Sequence, residues 1–167
     1  MLGVLISATG WLAPEGLVQR VAAWIRGLPA ERLESIMRSP VRRAVLDGIF
    51  WQMPRHLDRR RAAAVNASIR WRVTGRRDGG EDVYDLVLAD GRAHVIRRGG
   101  ETTPRLTITI DGAEFLRVAI GSSNPVNAYL NGKLALRGDV MQAARLTMLF
   151  RIPSPSKPAT ASPPPGV

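Results

Sequence analysis

The sequence of 167 residues predicts an α+β fold with a five-stranded, mostly antiparallel sheet. The observation behind this is a change of hydrophobic period. Apolar residues recur at helical spacing up to about residue 53, alternate with polar residues from 68 to 110, and return to helical spacing after 111. Glycine-containing turns separate the alternating segments, which is typical of antiparallel neighbours.

Three helical patterns precede the sheet. Two of them lie in an N-terminal helical extension, residues 1–40, where apolar side chains stand three and four positions apart. A third helix is expected over residues 40–53. Ser39 can supply an N-cap oxygen, Pro40 suits the first helical position, and Pro54 stops the helix.

Four strands are expected next, at residues 68–74, 83–88, 93–97 and 106–110. The first alternates strictly, so that Ile69, Trp71 and Val73 share one face while arginines occupy the other. Asp78-Gly79-Gly80 and Asp90-Gly91 supply hairpin turns between the first three strands.

The helical period returns after Asp111, which can cap a helix closed by Gly121. Asn124 begins another short helix, a fifth strand follows at 134–137, and Asp139 caps a final helix reaching about residue 150. That final helix is apolar around most of its circumference, so it must be covered on two sides. Residues 151–167 contain six of the twelve prolines and are expected to form a flexible tail.

The sequence shows no recognisable catalytic set. It has no cysteine and only His56 and His94, which excludes a disulfide framework, thiolate metal sites and a histidine-rich metal site. The only acidic cluster, Glu81, Asp82 and Asp85, lies beside a hairpin turn, where a solvated turn is the preferred interpretation. We therefore predict a protein that is not an enzyme and carries neither cofactor nor metal.

The positive charge is concentrated in one part of the chain. The formal net charge is +10, and residues 38–77 hold eleven arginines against Asp47 and Asp58. Because Trp51 and Trp71 are interleaved with these arginines, nucleic-acid binding through this segment is a minor alternative. Against this alternative, the arginines fall on a helix, a loop and a strand with no known nucleic-acid motif.

The run from 106 to 139 is the most specific feature: LTITIDGAEFLRVAIGSSNPVNAYLNGKLALRGD. Its Thr-Ile-Thr-Ile strand, Asn124-Pro125, the triplet 132–134 and Gly138-Asp139 closely resemble the sterol carrier protein type 2 family, the non-specific lipid-transfer domain. The resemblance covers about residues 41–150. It implies a five-stranded sheet covered on one face by helices, with an apolar tunnel between the two layers. The implied function is non-catalytic: binding of sterols, fatty acids, fatty acyl-CoA or phospholipids, either alone or with transfer between membranes.

The resemblance also implies a set of residues that line the tunnel, although ordinary core packing is the alternative for each. The expected lipid-binding residues are Leu46, Phe50, Met53, Trp71, Val73, Phe115, Tyr129, Leu134, Met141, Ala144 and Met148. The helices at 14–38 are expected to act as a lid. An alternative function with the same cavity is an accessory protein that presents an isoprenoid quinone or a lipid intermediate to an enzyme.

The basic segment is then expected to dock on an anionic membrane surface, with a solvated basic face as the alternative. The expected docking residues are Arg38, Arg42, Arg43, Arg55, Arg59, Arg60 and Arg61. The apolar stretch 1–13 lacks a basic n-region and is too short to cross a bilayer. A cytoplasmic protein, peripheral to the membrane and open to a protein partner, is therefore expected.

Overall fold

A computed structural model describes residues 27–101 and 103–149 of the chain. Five strands form one sheet in the order β3-β2-β1-β4-β5. Their bounds are β1 Ala67–Thr74, β2 Asp82–Ala89, β3 Arg92–Arg97, β4 Leu106–Asp111 and β5 Leu134–Gly138. All neighbours are antiparallel except β1 and β4, which are parallel. The predicted five-stranded, mostly antiparallel sheet is confirmed.

The described helices are α1 Ala30–Arg38, α2 Arg42–Gln52, α3 Arg59–Ala62, α4 Gly112–Ala119, α5 Pro125–Leu130 and α6 Val140–Leu149. A 3-10 turn, Met53–His56, follows α2. Three caps occur where the sequence places suitable residues: Asp111 accepts from the Ala113 N–H, Asn124 from the Val126 N–H, and Asp139 from the Met141 N–H. The helix predicted before residue 27 and the tail at 151–167 lie outside the described residues.

The predicted start of α2 is wrong by two residues. Ser39 does not cap it, because its hydroxyl donates instead to the carbonyl of Ile36 at 2.7 Å and closes the end of α1. Helix α2 begins at Arg42, after Val41, without a side-chain cap. A serine between two helices can either cap the N–H groups of the second or donate to the last carbonyls of the first. Here Ser39 donates to a carbonyl at the end of α1.

The two faces of the sheet differ as the alternation in β1 predicts. Ile69 and Val73 are fully buried towards the helices, whereas Arg70 and Arg72 lie on the opposite face and pair with carboxylates there. The register aligns Trp71 with Tyr84 on one side and with Ile108 on the other, so these three side chains share the helix-facing surface. That surface and the helices above it form the core.

Helix α1 belongs to this core. Leu33 and Met37 are buried, and α1 packs against α4. A Cβ added at Gly112 would stand 3.0 Å from the terminal methyl of Met37, so the absence of a side chain at Gly112 permits the close approach. The part of the N-terminal extension that the structure describes is thus an integral helical layer.

Candidate functional site

Four aromatic rings meet between the sheet and the helices. Phe50 of α2 stacks on Tyr84 of β2 with centroids 4.1 Å apart, and on Phe115 of α4 at 5.1 Å. Trp71 of β1 meets Phe50 and Phe115 edge-on at 6.0 and 5.6 Å. We call these four residues the aromatic cluster. Phe50, Tyr84 and Phe115 are buried, whereas Trp71 is half-buried and is the most exposed member of the cluster.

Trp71 also carries an unused hydrogen-bond donor. Its indole Nε1 is buried, and no group in the described chain accepts its proton. A buried donor without an acceptor costs about 1 to 3 kcal/mol relative to a satisfied one. An acceptor oxygen brought by a ligand would remove that cost, and the sequence alone gave no sign of this feature.

Most of the predicted lipid-binding residues contribute to the helix-facing core. Leu46, Phe50, Val73, Phe115 and Leu134 are buried in it. Met53 and Trp71 are half-buried and pack against it. Ala144 and Met148 belong to α6, but their side chains lie outside the described part of the structure. Whether any of them contacts a lipid stays a prediction.

Two members of the set are misplaced by the prediction. Tyr129 is 44% exposed and Met141 is 68% exposed, so neither is enclosed between sheet and helices. In α5 the buried residue is Ala128, and its neighbour Tyr129 is rotated by about 100° around the helix. In α6 Met141 lies in the first turn, whereas Leu149 at the far end is buried.

The predicted docking set contains one error, Arg42, which is only 5% exposed. Its guanidinium donates to Asp82 Oδ2 at 2.8 Å and to the carbonyls of Met37, Val73 and Thr74 at 2.8 to 3.0 Å. Because its guanidinium donors are hydrogen-bonded inside the fold, Arg42 cannot contact a headgroup. Sequence spacing held a signal for this, since Leu46 and Phe50, four and eight positions later, are the other buried residues of α2.

The other predicted docking residues are exposed, and we call them the basic helical surface: Arg38, Arg43, Arg55, Arg59, Arg60 and Arg61. They lie on α1, α2, the 3-10 turn and α3. Trp51 of α2 is 70% exposed in the same region of the chain. An exposed indole among arginines is the composition found where proteins meet lipid headgroups.

Two cavities lie at the edges of the core, and only the first touches the aromatic cluster, through Tyr84. One, of about 340 Å³, has Arg43, Tyr84 and Arg98 among its lining residues; the other, of about 250 Å³, is lined in part by Arg105 and Arg145. Neither is lined by any residue of the predicted lipid-binding set. Tyr84 was missed by the sequence reasoning, although its alternation with the buried Leu86 and Leu88 along β2 could have placed it inside.

The match to a family model decides the relationship. Residues 48–151 match the model of the SCP-2 sterol transfer family. The chain belongs to this family. Membership indicates a lipid-binding or lipid-transfer domain, in agreement with the resemblance read from residues 106–139.

Relatives of the domain occur inside larger proteins. The chain is 27% identical over 89 residues to a peroxisomal multifunctional enzyme type 2 from Mus musculus, covering 52% of this chain and 12% of the mouse protein. It therefore spans about an eighth of the curated relative that it matches.

Solved structures share the fold. A stereoselective inverting sec-alkylsulfatase, Pisa1 from Pseudomonas sp., superposes with a TM-score of 0.54 at 18% identity, covering 63% of this chain and 16% of the enzyme. Sterol Carrier Protein 2 Like 2 from Aedes aegypti superposes at 0.50 with 19% identity, covering 65% of this chain and 98% of that protein. At these identities the likeness supports the fold alone. Among residues 27–101 and 103–149, no helix has the length and apolar composition needed to cross a bilayer.

Proposed function

We propose that the SCP-2 domain of this chain binds an apolar lipid with one polar end, such as a fatty acid, sterol, fatty acyl-CoA or phospholipid, between the sheet and the helices. Family membership supports the lipid class, and the helix-facing core supplies the apolar surroundings. Burial of a long acyl chain there contributes about 25 cal/mol per Å² of apolar area removed from water.

The observation that carries the proposal is the free indole N–H of Trp71. The other three rings of the aromatic cluster are buried and in contact, so a ligand that enters beside them meets Trp71 first. A carbonyl or hydroxyl oxygen at the polar end of the lipid accepts the Nε1 proton, while the apolar chain displaces side chains at the edge of the core. This arrangement gives affinity through burial and orientation through one hydrogen bond.

Two measurements on the full chain test lipid binding. Native mass spectrometry, followed by organic extraction, identifies any lipid that co-purifies. Titration with a fluorescent fatty acid measures saturable binding, and the expected result is one molecule per chain. A protein that purifies empty and also fails to bind the fatty acid would contradict the proposal.

We also propose that the basic helical surface holds the protein on anionic membranes while lipid enters or leaves. Each arginine near the surface contributes about 1 kcal/mol, attenuated by salt. The exposed ring of Trp51 can insert at headgroup level beside those charges. The solvated basic face remains the competing interpretation, and it predicts no vesicle binding at all.

Sedimentation with vesicles separates the two interpretations. Binding to phosphatidylcholine vesicles that contain phosphatidylglycerol should fall steeply with ionic strength and be absent on phosphatidylcholine alone. The double variant Arg59→Gln/Arg60→Gln should weaken binding strongly. The matched control Arg92→Gln/Arg137→Gln removes the same charge from exposed positions on the sheet and should leave vesicle binding nearly intact.

A second candidate function is presentation of a quinone or lipid intermediate to an enzyme. This function is favoured because the chain matches only a small part of two enzymes, 12% of the mouse protein and 16% of the alkylsulfatase. The exposed apolar side chains of Val126, Leu130 and Val140 offer a surface for such a partner. Transfer of a fluorescent lipid between vesicles discriminates the two functions: a protein that binds lipid without accelerating transfer fits presentation.

A further inference from the structure

We propose that one cavity, of about 340 Å³, binds a phosphate group. It lies between the start of α2, the start of β2 and the end of β3. Four arginines line it, Arg43, Arg76, Arg97 and Arg98, together with Glu81, Asp82 and the ring of Tyr84. We call it the arginine cleft. None of the predicted lipid-binding residues lines it, although it shares Tyr84 with the aromatic cluster and Arg43 with the basic helical surface. The proposal does not depend on lipid binding.

The acids of the cleft are already engaged. Asp82 accepts from Arg42 at 2.8 Å, and Glu81 accepts from Arg72 at 2.8 Å. Both of these arginines approach from outside the cleft lining. The negative charge at this wall is therefore largely neutralised before the four lining arginines are considered.

Two of the lining arginines are also paired, and two are not. Arg76 binds Asp78 at 2.6 Å, and Arg97 reaches Asp47 at 3.4 Å. Among residues 27–101 and 103–149, no carboxylate lies within ion-pair distance of Arg43 or Arg98. Arg43 and Arg98 therefore keep guanidinium donors available in the cleft. Together they carry two positive charges, which one phosphate dianion neutralises.

The walls of the cleft are fixed by the backbone and by Tyr84. Arg98 follows β3 with a φ of 70° and donates its N–H to the carbonyl of Val83 at 2.7 Å. This left-handed conformation is uncommon for a residue with a side chain, and the hydrogen bond holds it. The Tyr84 hydroxyl donates to Asp47 at 2.7 Å, and burial, followed by this hydrogen bond, raises the pKa of the phenol above its ordinary value. Tyr84 therefore stays neutral and adds no charge against an anion.

The chemistry selects phosphate over a single carboxylate. Guanidinium forks bind tetrahedral oxyanions through paired N–H donors, and two forks on one cleft can serve more than two oxygens. The cavity volume of about 340 Å³ accommodates a phosphate or pyrophosphate group together with the first atoms of the organic group esterified to it. That group can belong to a soluble phosphoester or to a phospholipid head.

Titration of the full chain with inorganic phosphate and with pyrophosphate, followed by amide NMR or calorimetry, tests the site. We expect saturable binding with shifts at Val83, Tyr84 and Arg98. Arg98→Gln should weaken it at least about tenfold, the equivalent of one charge-assisted hydrogen bond. Arg43→Gln, on an exposed helix position, should do the same and guards against a folding defect in the first variant.

The control Arg137→Gln removes one exposed charge far along the chain, on β5, and should leave the affinity unchanged. If Arg137→Gln and Arg98→Gln lowered the phosphate affinity equally, the effect would come from net charge alone, and the proposed site would be overturned. Failure of both anions to saturate, together with no Arg98 dependence of binding to phosphatidylcholine vesicles that contain phosphatidic acid, would overturn it as well. Arg98-dependent binding of either soluble anion or vesicle supports the site and identifies the source of the phosphate.

Discussion

Arg42 on α2 donates from Nε to Oδ2 of Asp82 on β2 at 2.8 Å, joining residues that are 40 positions apart in the chain. The rest of its guanidinium donates to the carbonyls of Met37, Val73 and Thr74. One side chain thereby ties together the end of α1, the start of α2 and the end of β1. A charge buried with this many partners is stable only while all of them are present.

Replacement of Arg42 should therefore be costly. Arg42→Ala leaves three carbonyls and one carboxylate without their donor, and we expect a loss of about 3 to 5 kcal/mol in the free energy of unfolding. Urea denaturation measures it. The neighbour Arg43→Ala is the control, since Arg43 is exposed and its loss should change stability by less than about 0.5 kcal/mol. Similar values for the two variants would contradict the buried role of Arg42.

Trp71→Phe should separate ligand affinity from fold stability. The variant keeps an aromatic ring against Phe50 and Phe115 but lacks the indole N–H. We expect fatty acid affinity to fall by about tenfold, the equivalent of one hydrogen bond. Stability without ligand should change little, because the packing lost with the smaller ring is offset by removal of a buried donor that has no acceptor.

Trp51→Phe is the matched control for that experiment, because the same change is made at an exposed position. It should leave fatty acid affinity unchanged. An equal loss of affinity in both variants would argue against a hydrogen bond from Trp71 to the lipid.

Gly138 and Gly132 offer a matched pair for backbone effects around β5. Both have positive φ, 104° and 70°, so alanine is disfavoured at each by about 1 to 2 kcal/mol. Only at Gly138 would the added Cβ also collide with the carbonyl oxygen of Arg105; at Gly132 it meets open space. Gly138→Ala should therefore lower the melting temperature more than Gly132→Ala, as thermal unfolding can show. Equal effects would mean that the Arg105 backbone moves aside freely.

Glu114 predicts a loss of stability in acid. Burial by itself would raise the pKa of Glu114, but hydrogen bonds from Ser123 and Arg117 outweigh it and hold the pKa below its ordinary value of 4.5. A carboxylate with a lowered folded-state pKa stabilises the fold above the unfolded-state pKa, and this contribution is lost as pH falls through the folded value. Near pH 7, Glu114→Gln should cost about 2 kcal/mol.

Denaturation of wild type and Glu114→Gln across pH measures this contribution. The difference between them should be constant above about pH 5.5 and shrink as the pH falls below 4.5. A difference that stays constant down to pH 3 would show that the charge of Glu114 does not stabilise the fold.

Local patterns were enough to predict the order of the strands, their faces and the longer described helices, although not the short α3. In β1 the strict alternation correctly separated Ile69 and Val73 from Arg70 and Arg72, because a period of two leaves no freedom once one face is buried. The parallel pairing of β1 with β4 was beyond such reasoning. It depends on how the intervening strands leave one edge of β1 open, and no local pattern records that.

Side-chain environments at the candidate site were less predictable. Counting charges placed Arg42 on the surface, although its helical spacing from Leu46 and Phe50 puts it on the buried face. The cleft was missed because Arg43 and Arg98 are far apart in sequence and become neighbours only when β3 returns beside β2. A contact between distant segments is a property of tertiary structure.

The parallel contact between β1 and β4 also bears on how the chain folds during synthesis. As the ribosome releases residues 67–97, strands β1 to β3 can form a meander by short hairpins. One side of β1 then presents unpaired N–H and C=O groups until β4, which begins at Leu106, has emerged. At that stage the nascent chain has an unpaired strand edge on β1, which becomes the central strand of the finished sheet, and such an edge can pair with another chain. Pairing with β4 therefore closes an edge of β1 that would otherwise be open to pairing with another chain.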